Sequence, residues 1–463
     1  MSLPALLRPG ALALALAALA ACAPVGTGPA VPAAIAERRI AELPGEAVMM
    51  NRFPASRPPA PGRGNAEIAA DFLDLAFLME SGRPIERMTR FEGPVGIAVN
   101  GAPPPTLPAD LDALIDRLRR EAGIDVARVP ASDDGAQIRI ETLPRARMQR
   151  VVPHAACFVV PRVGSWAEFR RVRGGRELDW TTLASRERVT VFIPSDVAPQ
   201  EIRDCLHEEI AQALGPLNDL YRLPDSVFND DNFHAVLTGF DMLILRLYYH
   251  PGLANGMTRA EVAARLPGIL AQLNPAGAGP DARPGRATPR PWIEAIETAL
   301  GPGTSEPARI QAAERAVTIA RNAGWRDVRA GFSHFALGRL TLSKDVERSI
   351  EAFQRAAAIF ERVAPGGIHL AHVDMQLAAF SLSAGRAEEA LALTGRALPA
   401  AMRAQNAALL ATLQMVRAEA LEDLGRAAEA SAVRLDSLGW GRYGFGSNAA
   451  VGARLSEVAS LSP

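Results

Sequence analysis

The chain has 463 residues, with 50 lysine and arginine residues against 51 aspartate and glutamate residues, which gives a formal net charge of −1 at pH 7. A chain this close to neutrality has no overall electrostatic attraction for nucleic acid or for an anionic membrane surface. We therefore predict that the protein has no nucleic-acid partner.

The N-terminus has the pattern of a secretory signal. An apolar run at residues 11–21 ends in two alanines followed by Cys22. This resembles the bacterial lipoprotein signal, so we expect residues 1–21 to be removed and Cys22 to be lipidated; an ordinary secretory signal is the alternative. The run is too short to span a bilayer, which implies a lipid-anchored, periplasm-facing envelope protein. Ala23 favours the outer membrane by analogy with enterobacterial sorting.

Residues 22–64 are rich in proline, glycine and alanine. Such a composition cannot bury a hydrophobic core. We predict a disordered tether between the lipid anchor and the first domain.

From residue 65 the sequence has the pattern of a small α+β domain. Apolar residues recur with a helical period in residues 68–77 and again in residues 109–122. Short strand-like runs follow one another along the chain, and one of them alternates apolar with polar side chains as a half-buried strand does. The runs lie at residues 95–99, 138–141, 156–160 and 189–193. This pattern predicts a small mixed sheet with helices.

The next segment is predicted to be a long amphipathic helix. Ser195 or Asp196 is expected to cap it, Pro199 lies in its first turn and Gly215 ends it. At about 100° per residue, apolar and polar side chains fall on opposite sides. The polar side consists of Glu201, Asp204, Glu208 and Gln212. We predict that this side is solvated, with a residual binding site as the alternative, whereas Glu209 at the edge of the apolar stripe needs a partner or a cleft.

The spacing of this helix resembles that of the metzincin peptidases, whose zinc motif is His-Glu-x-x-His-x-x-Gly-x-x-His/Asp. The motif glutamate, the glycine and the length to the third ligand are kept, but both helical histidine positions are changed. Zinc in catalytic sites has three protein ligands, usually imidazoles, and an amide oxygen binds it weakly. The resemblance therefore implies a metzincin-like α+β domain without zinc, cofactor or catalytic residues. Its degenerate site consists of Glu208, Glu209, Gln212, Asn218 and Asp219.

The chain after the motif extends this resemblance. Ser226 and Val227 match the start of the turn that follows the motif in matrixin-like metzincins, although Phe228 and Asp230 replace its methionine and tyrosine. The closing helix of that group is matched at Leu237, Thr238, Asp241, Leu247 and Tyr248. Residues 65–275 thus resemble the bacterial domain of unknown function 2927, a relative of the metallopeptidases in which the two substitutions at the histidine positions are a family trait. This resemblance implies no established activity.

Two cysteines remain in the expected mature chain. In an oxidising periplasm, an isolated pair such as Cys157 and Cys205 is more often bridged than free. The bridge would close a loop of about 50 residues and stabilise the fold by roughly 4 kcal/mol. Two buried free thiols are the alternative.

Residues 276–292 contain several prolines and glycines and are predicted to be a linker without regular structure. Beyond it, residues 293–463 show no strand pattern. Gly338, Gly385 and Gly425, each followed by arginine, recur at spacings of 47 and 40 residues. The pattern of glycine-arginine turns and alanine-rich helices is similar to tetratricopeptide repeats, which would form an all-α domain. An ordinary helical bundle is the alternative.

Two further groups of polar residues stand out. His369 and His372 lie three residues apart on an expected helix and could share a metal, although no third ligand is evident nearby. Asp230, Asp231 and His234 are predicted to form a solvated turn.

These observations lead to one functional prediction and two alternatives. We expect an envelope lipoprotein with a catalytically silent peptidase-like domain, whose repeats bind protein or peptide partners in scaffolding or assembly. One alternative is an active metal-dependent hydrolase that uses Glu208 and Asp219 as ligands, with His207 or His234 as an optional further ligand. The other is a chaperone-like peptide binder whose function lies in the repeats alone.

Overall fold

In a computed structural model, residues 49–54, 58–279 and 285–462 are described. The predicted signal sequence and Cys22 lie outside these ranges. Within them, no helix combines the length and the apolar character that crossing a membrane requires.

A five-stranded sheet forms the centre of the N-terminal region, with the strand order β2-β1-β3-β5-β4. Its strands are β1 Val95–Gly101, β2 Val126–Arg128, β3 Ile138–Leu143, β4 Phe158–Pro161 and β5 Val189–Pro194. The pairs β1–β2, β1–β3 and β3–β5 are parallel, and only the edge strand β4 pairs antiparallel to its neighbour. Every residue of β5 is buried, because helices cover the inner part of a largely parallel sheet. The predicted small mixed sheet is confirmed.

Seven α-helices accompany this sheet in the described part of the N-terminal region. They are α1 Asn65–Phe77, α2 Leu107–Arg117, α3 Arg145–Gln149, α4 Trp166–Val172, α5 Pro199–Leu214, α6 Gly239–Tyr248 and α7 Arg259–Leu273. The motif helix α5 begins after Ala198, so the predicted caps Ser195 and Asp196 are wrong. Asp196 lies outside the helix, where its carboxylate accepts a hydrogen bond from the backbone of Arg145 at 2.7 Å. Thr258 caps α7 through a reciprocal pair of hydrogen bonds with Glu261.

The C-terminal region is helical throughout residues 290–459, apart from its short turns. Its helices are α8 Arg290–Leu300, α9 Glu306–Asn322, α10 Val328–Thr341, α11 Val346–Val363, α12 Ile368–Ser383, α13 Ala387–Arg403, α14 Ala407–Asp423, α15 Ala427–Phe445 and α16 Asn448–Ala459. Successive helices pack against each other, and α10, α12 and α14 begin about 40 residues apart. The predicted all-helical character is confirmed.

Two details of this region differ from the prediction. Gly385 and Gly425 do form left-handed turns between helices, but Gly338 lies inside α10. A Cβ atom at Gly338 would stand 3.0 Å from the ring of Phe353, so this glycine permits close helix packing and forms no turn. Helix α8 also starts within the predicted linker, because Pro291 is tolerated in the first turn of a helix.

The N-terminal and C-terminal regions have separate hydrophobic cores that are interlocked. Tyr221 and Phe233, from the loop between α5 and α6, belong to the core of the helical region. Part of the predicted tether is bound as well, since Phe53 stacks on Trp440 with ring centroids 4.5 Å apart. The described part of that segment is therefore ordered against the protein, because its aromatic side chain fits a complementary aromatic site.

Candidate functional site

The motif helix α5 is buried on nearly all sides, so the predicted solvated face is wrong. Gln212 is 4% exposed and Glu209 is 0% exposed. The helical region covers the start of this face, because the side chain of Gln200 donates to Asn406 at 3.1 Å and accepts from the backbone of Ala408 at 2.9 Å. Arg203 also hydrogen-bonds to Gln405. Sequence periodicity could not reveal this contact, because its partner lies about 200 residues further along the chain.

Helix α5 is fixed at both ends. Cys205 in its second turn is bonded to Cys157, and both residues are buried. At its C-terminus the guanidinium of Arg186 donates to the carbonyl oxygens of Gln212 and Ala213, at 2.6 and 2.7 Å, and to that of Gly215. A cation at this position satisfies the free carbonyls and the negative end of the helix dipole. The role of Arg186 was not anticipated from the sequence, which has no motif around it.

Around Glu209 the structure assembles a cluster of acidic side chains. Burial and the nearby Asp219 raise the pKa of Glu209 to about 8, and burial raises that of Asp219 to about 6. The pKa of Glu208 is raised by burial and then by the charges of the other carboxyl groups. Glu80 and Asp230 complete the cluster, and their pKa values are raised by burial and by Asp219. We call these five residues the acidic cluster.

The contacts inside the acidic cluster are specific. Glu80, whose raised pKa keeps its carboxyl group protonated, donates a hydrogen bond to Asp219, and the hydroxyl of Tyr221 donates to Asp230 at 2.6 Å. Glu80, Glu208 and Asp219 are half-buried. Sequence reasoning missed Glu80, which lies far from the motif in a turn after α1 and has no distinguishing spacing.

The other members of the predicted site are placed differently. The side-chain nitrogen of Gln212 is buried without a hydrogen-bond partner. Asn218 is directed to α1, where its amide donates to the carbonyl oxygen of Asp74 at 3.0 Å. His207 accepts a hydrogen bond from the backbone of Leu237 at 3.2 Å, and burial lowers its pKa well below the usual value. Among the candidate residues, Asn218 and His207 thus act as packing and hydrogen-bonding elements.

The loop between α5 and α6 joins the N-terminal and helical regions, so the predicted solvated turn is wrong. The carboxylate of Asp231 lies 2.8 Å from Nε2 of His369, and both side chains are buried. The ring of Phe233 packs against His369 and His372, with centroids 4.6 and 4.8 Å apart. Burial is the main reason that the pKa values of His234 and His372 are both lowered to about 3. His369 and His372 of α12 therefore contact the loop between α5 and α6.

The residues matched to the closing helix have a structural role. Asp241 is completely buried and accepts hydrogen bonds from the hydroxyl of Ser226 at 2.5 Å and from the backbone of Val227 and Thr238 at 3.2 and 2.7 Å. In return, the hydroxyl of Thr238 accepts a hydrogen bond from the backbone N–H of Asp241 at 3.2 Å, which completes a capping box. These contacts hold the turn after the motif against α6.

Most of the N-terminal region matches a known protein family. Residues 65–268 match the family described as "Protein of unknown function (DUF2927)". A solved structure, the crystal structure of BtubC (BKLC) from P. vanneervenii, is 16% identical with a TM-score of 0.29, over 39% of this chain and 77% of that chain. No curated protein matches the sequence.

Proposed function

We propose that this protein is a non-catalytic lipoprotein of the bacterial envelope, in which the DUF2927 domain supports a helical region that binds a protein partner in scaffolding or assembly. Lipidation at Cys22 and a periplasm-facing location, in the outer membrane, belong to this proposal and rest on the N-terminal sequence. The observation that carries the non-catalytic part is the enclosure of α5.

Enclosure matters because a peptidase has to bring an extended substrate chain to its catalytic glutamate and to a metal-polarised water. Glu209 occupies the motif position of that glutamate, yet it is completely buried. The helical region also packs across the start of the same helix, through Gln200 and Asn406. Besides, Glu208 and Gln212 replace the imidazoles that zinc prefers.

The partner surface is expected on the outer side of the helical region. Helices α12 and α14 are buried along almost their whole length, and Phe233 packs against α12. This occupation disfavours the chaperone-like alternative, in which an inner groove would accept peptides. A cleft of about 330 Å³ between α9, α10 and α11 is open instead. Its rim carries side chains of both signs, including Glu314, Arg348 and Arg355.

The hydrolase alternative has one observation in its favour, the gathering of Glu208 and Asp219 in the acidic cluster. Neither proposed histidine joins them as a free ligand. His207 is bonded to the backbone of Leu237, and His234 packs on His369 with ring centroids 5.4 Å apart.

Peptidase assays on the purified full-length protein test the non-catalytic part. We expect no cleavage of casein or of a mixed peptide library, with or without added zinc, and the same result for Glu209→Gln. Cleavage that a chelator abolishes and that Glu209→Gln removes would overturn the proposal.

Site-specific photo-crosslinking in cells tests the partner surface. A crosslinking residue at Arg355 should give a discrete protein adduct in the envelope fraction, whereas one at the exposed Arg150 of the N-terminal region should give none.

Metabolic labelling with a fatty acid tests the lipidation, and the label should be lost in Cys22→Ala. Equal adducts from both positions, or labelling that survives the substitution, would contradict the corresponding part of the proposal.

A further inference from the structure

We propose that the N-terminal region carries a basic surface that binds the anionic headgroups of a phospholipid membrane. This surface, which we call the arginine face, consists of six exposed arginines on or next to α3 and α4, namely Arg147, Arg150, Arg170, Arg171, Arg173 and Arg176. The inference rests on the membrane-anchored location in the proposed function and deepens it, because it names a second contact between the protein and the membrane.

The charge of the chain is unevenly distributed. Residues 144–188 contain ten arginines but only four acidic residues, whereas the whole chain has a net charge of −1. The rest of the chain is therefore net negative, and the near-neutral total conceals a strongly positive segment. A local cluster of like charges attracts a polyanionic surface even when the total charge is close to zero.

The sheet places α3 and α4 together on one of its faces. Successive side chains of a strand point to opposite faces, and in β5 Val191 joins the core that contains α5, whereas the adjacent Phe192 joins a separate core. Met148 of α3 and Trp166 of α4 pack in this second core. Helices α3 and α4 thus cover the sheet face away from α5, and the helical region packs against α5. The arginine face is therefore turned away from the helical region.

The turn after α4 extends the arginine face. Helix α4 ends at Val172, and Gly174 has a φ of +81°, a left-handed conformation that glycine adopts without strain. The chain then returns to the sheet, where Leu178 packs against the second core. Arg173 and Arg176, on either side of this glycine, are both exposed. The turn therefore adds two arginines to those of α4.

Most of the arginine face has no acidic partner in the described part of the chain. Arg171 lies 4.0 Å from the carboxylate of Glu168, and the other five arginines form no ion pair among the described residues. Neighbouring guanidinium groups repel one another, so an external anion that lies across several of them is attracted to all of them. Guanidinium groups also match the geometry of phosphate oxygens and bind them through paired hydrogen bonds.

The composition of the arginine face favours a lipid surface over a protein partner. Protein interfaces have a desolvated centre rich in apolar and aromatic side chains. In the described part of the chain, the exposed large hydrophobic side chains all lie outside the arginine face, at Met49, Val346, Met402 and Leu435. Binding to an anionic membrane surface requires no such centre, because each arginine near the headgroups contributes electrostatically.

The proposed anchor would keep the arginine face within reach of the membrane. About 27 residues separate Cys22 from Met49, and a chain of this length spans at most roughly 95 Å. A tether of limited length raises the effective concentration of headgroups around the protein, so individually weak contacts are sufficient. Contact through the arginine face would then orient the protein and direct the helical region away from the lipid.

Vesicle sedimentation with the full-length Cys22→Ala variant, which lacks the sulfur that would be lipidated, tests the arginine face apart from the anchor. One set of vesicles contains about 30% phosphatidylglycerol in phosphatidylcholine, and the other contains phosphatidylcholine alone, which measures any binding by the apolar N-terminus. We expect binding to the anionic vesicles to be at least tenfold tighter in about 0.1 M salt. This difference should disappear in about 1 M salt, where the screening length falls from about 10 Å to about 3 Å.

Two triple variants assign the binding to the arginine face. Replacing Arg170, Arg171 and Arg173 by glutamine should weaken binding to anionic vesicles by at least tenfold. Replacing Arg147, Arg150 and Arg176 should do the same and provides an independent test if the first variant does not fold, which thermal unfolding checks. The control removes the same number of charges from another exposed part of the region, by the same substitution at Arg119, Arg120 and Arg128, and should bind as the parent chain does.

Three outcomes would overturn the proposal. They are equal binding to both kinds of vesicle, an equal loss of binding in the control and the arginine-face variants, and retention on DNA without binding to anionic vesicles. Because the vesicle assay uses a chain that lacks Cys22, its result does not depend on fatty-acid labelling or on the peptidase assay. The arginine face and the proposed function can therefore fail independently.

Discussion

Buried acidic side chains are neutralised differently in the two regions of the molecule. In the helical region, Asp374 is completely buried and its carboxylate accepts two hydrogen bonds from Arg396, at 2.7 and 2.5 Å. Glu419 is similarly paired with Arg434 at 3.1 Å. Around α5, by contrast, Glu209 is equally buried but its two oxygens have no partner. The helical region thus pairs these buried acids within the chain, whereas the N-terminal region leaves the buried carboxyl group of Glu209 without a hydrogen-bond partner among the described residues.

The N-terminal region does contain a buried arginine, Arg186, that could in principle pair with a buried acid. Arg186 is 3% exposed and lies close to α5, but it donates to backbone carbonyls at the end of the helix. Its guanidinium also stands over the ring of Trp180, at 5.0 Å. The domain therefore uses its buried arginine to hold the helix that presents the acidic cluster.

The largest expected effect concerns the disulfide bond between Cys157 and Cys205, which lies in the N-terminal region. Cys22, Cys157 and Cys205 are the three cysteines of the chain, so the helical region has no crosslink of its own. Replacing both Cys157 and Cys205 by alanine should lower the free energy of unfolding by roughly 4 kcal/mol, since the bond closes a loop with a separation of 48 residues. Urea denaturation measures this loss.

Hydrogen exchange on the same double variant shows how far the loss spreads. Because the loop residues Tyr221 and Phe233 lie in the helical core, we expect faster exchange in both regions. Faster exchange confined to residues 65–268 would show that the two regions unfold separately.

The second largest expected effect is a loss of stability when Asp374 of the helical region loses its partner Arg396. Arg396→Met leaves Asp374 buried without its partner and should lower the free energy of unfolding by about 2 kcal/mol, less than for a fully buried pair because Arg396 is half-exposed. Arg386→Met removes an exposed pair with Glu389 and is the matched control, with an expected loss below about 0.5 kcal/mol. Thermal or urea unfolding distinguishes the two. Equal effects would remove the contrast between the two regions.

The corresponding substitution in the N-terminal region is Glu209→Gln. This change should cause no loss of stability, because it removes a buried carboxyl group that has no hydrogen-bond partner in the described part of the chain. A loss as large as that of Arg396→Met would show that a partner is present after all.

Much of the fold follows from local sequence patterns. The helical period of residues 68–77 located α1, and the apolar runs located four of the five strands. The short β2 was missed because three residues are too few to show a period. Gly338 was misread as a turn because its neighbours resemble those of Gly385 and Gly425, while its actual constraint is the ring of Phe353.

The candidate site was predictable only in part. Spacing on one helix brought together Glu208, Glu209 and Gln212, and the resemblance added Asp219. Glu80 and the covering helices could not be predicted, because their proximity depends on tertiary packing over long sequence distances. For the same reason the polar face of α5 was expected in solvent, although the helical region supplies Asn406 as its partner.

The smallest effect we predict is a dependence of folding stability on pH, which arises at the contact between the two regions. His372 faces Phe233 and the histidines at 234 and 369, and the charge of Arg339 on α10 is near it. Its pKa is about 3 in the folded chain, chiefly because of burial, against an ordinary value of 6.5. The unfolded chain therefore takes up a proton as the pH falls below 6.5, while the folded chain does not until about pH 3. Folding stability should consequently decrease on acidification, by about 1 kcal/mol for His372 between pH 7.5 and 5.5.

Substitution of this histidine isolates its contribution. His372→Gln should reduce the difference in unfolding free energy between pH 7.5 and 5.5 by about 1 kcal/mol, because a neutral amide binds no proton in either state. The exposed His154→Gln is the control and should leave that difference unchanged. If acidification affects His372→Gln as strongly as the unaltered chain, the histidine is already protonated when folded. The buried contact with Phe233 would then carry a charge, and the contrast between a balanced helical region and an unbalanced acidic cluster would no longer hold.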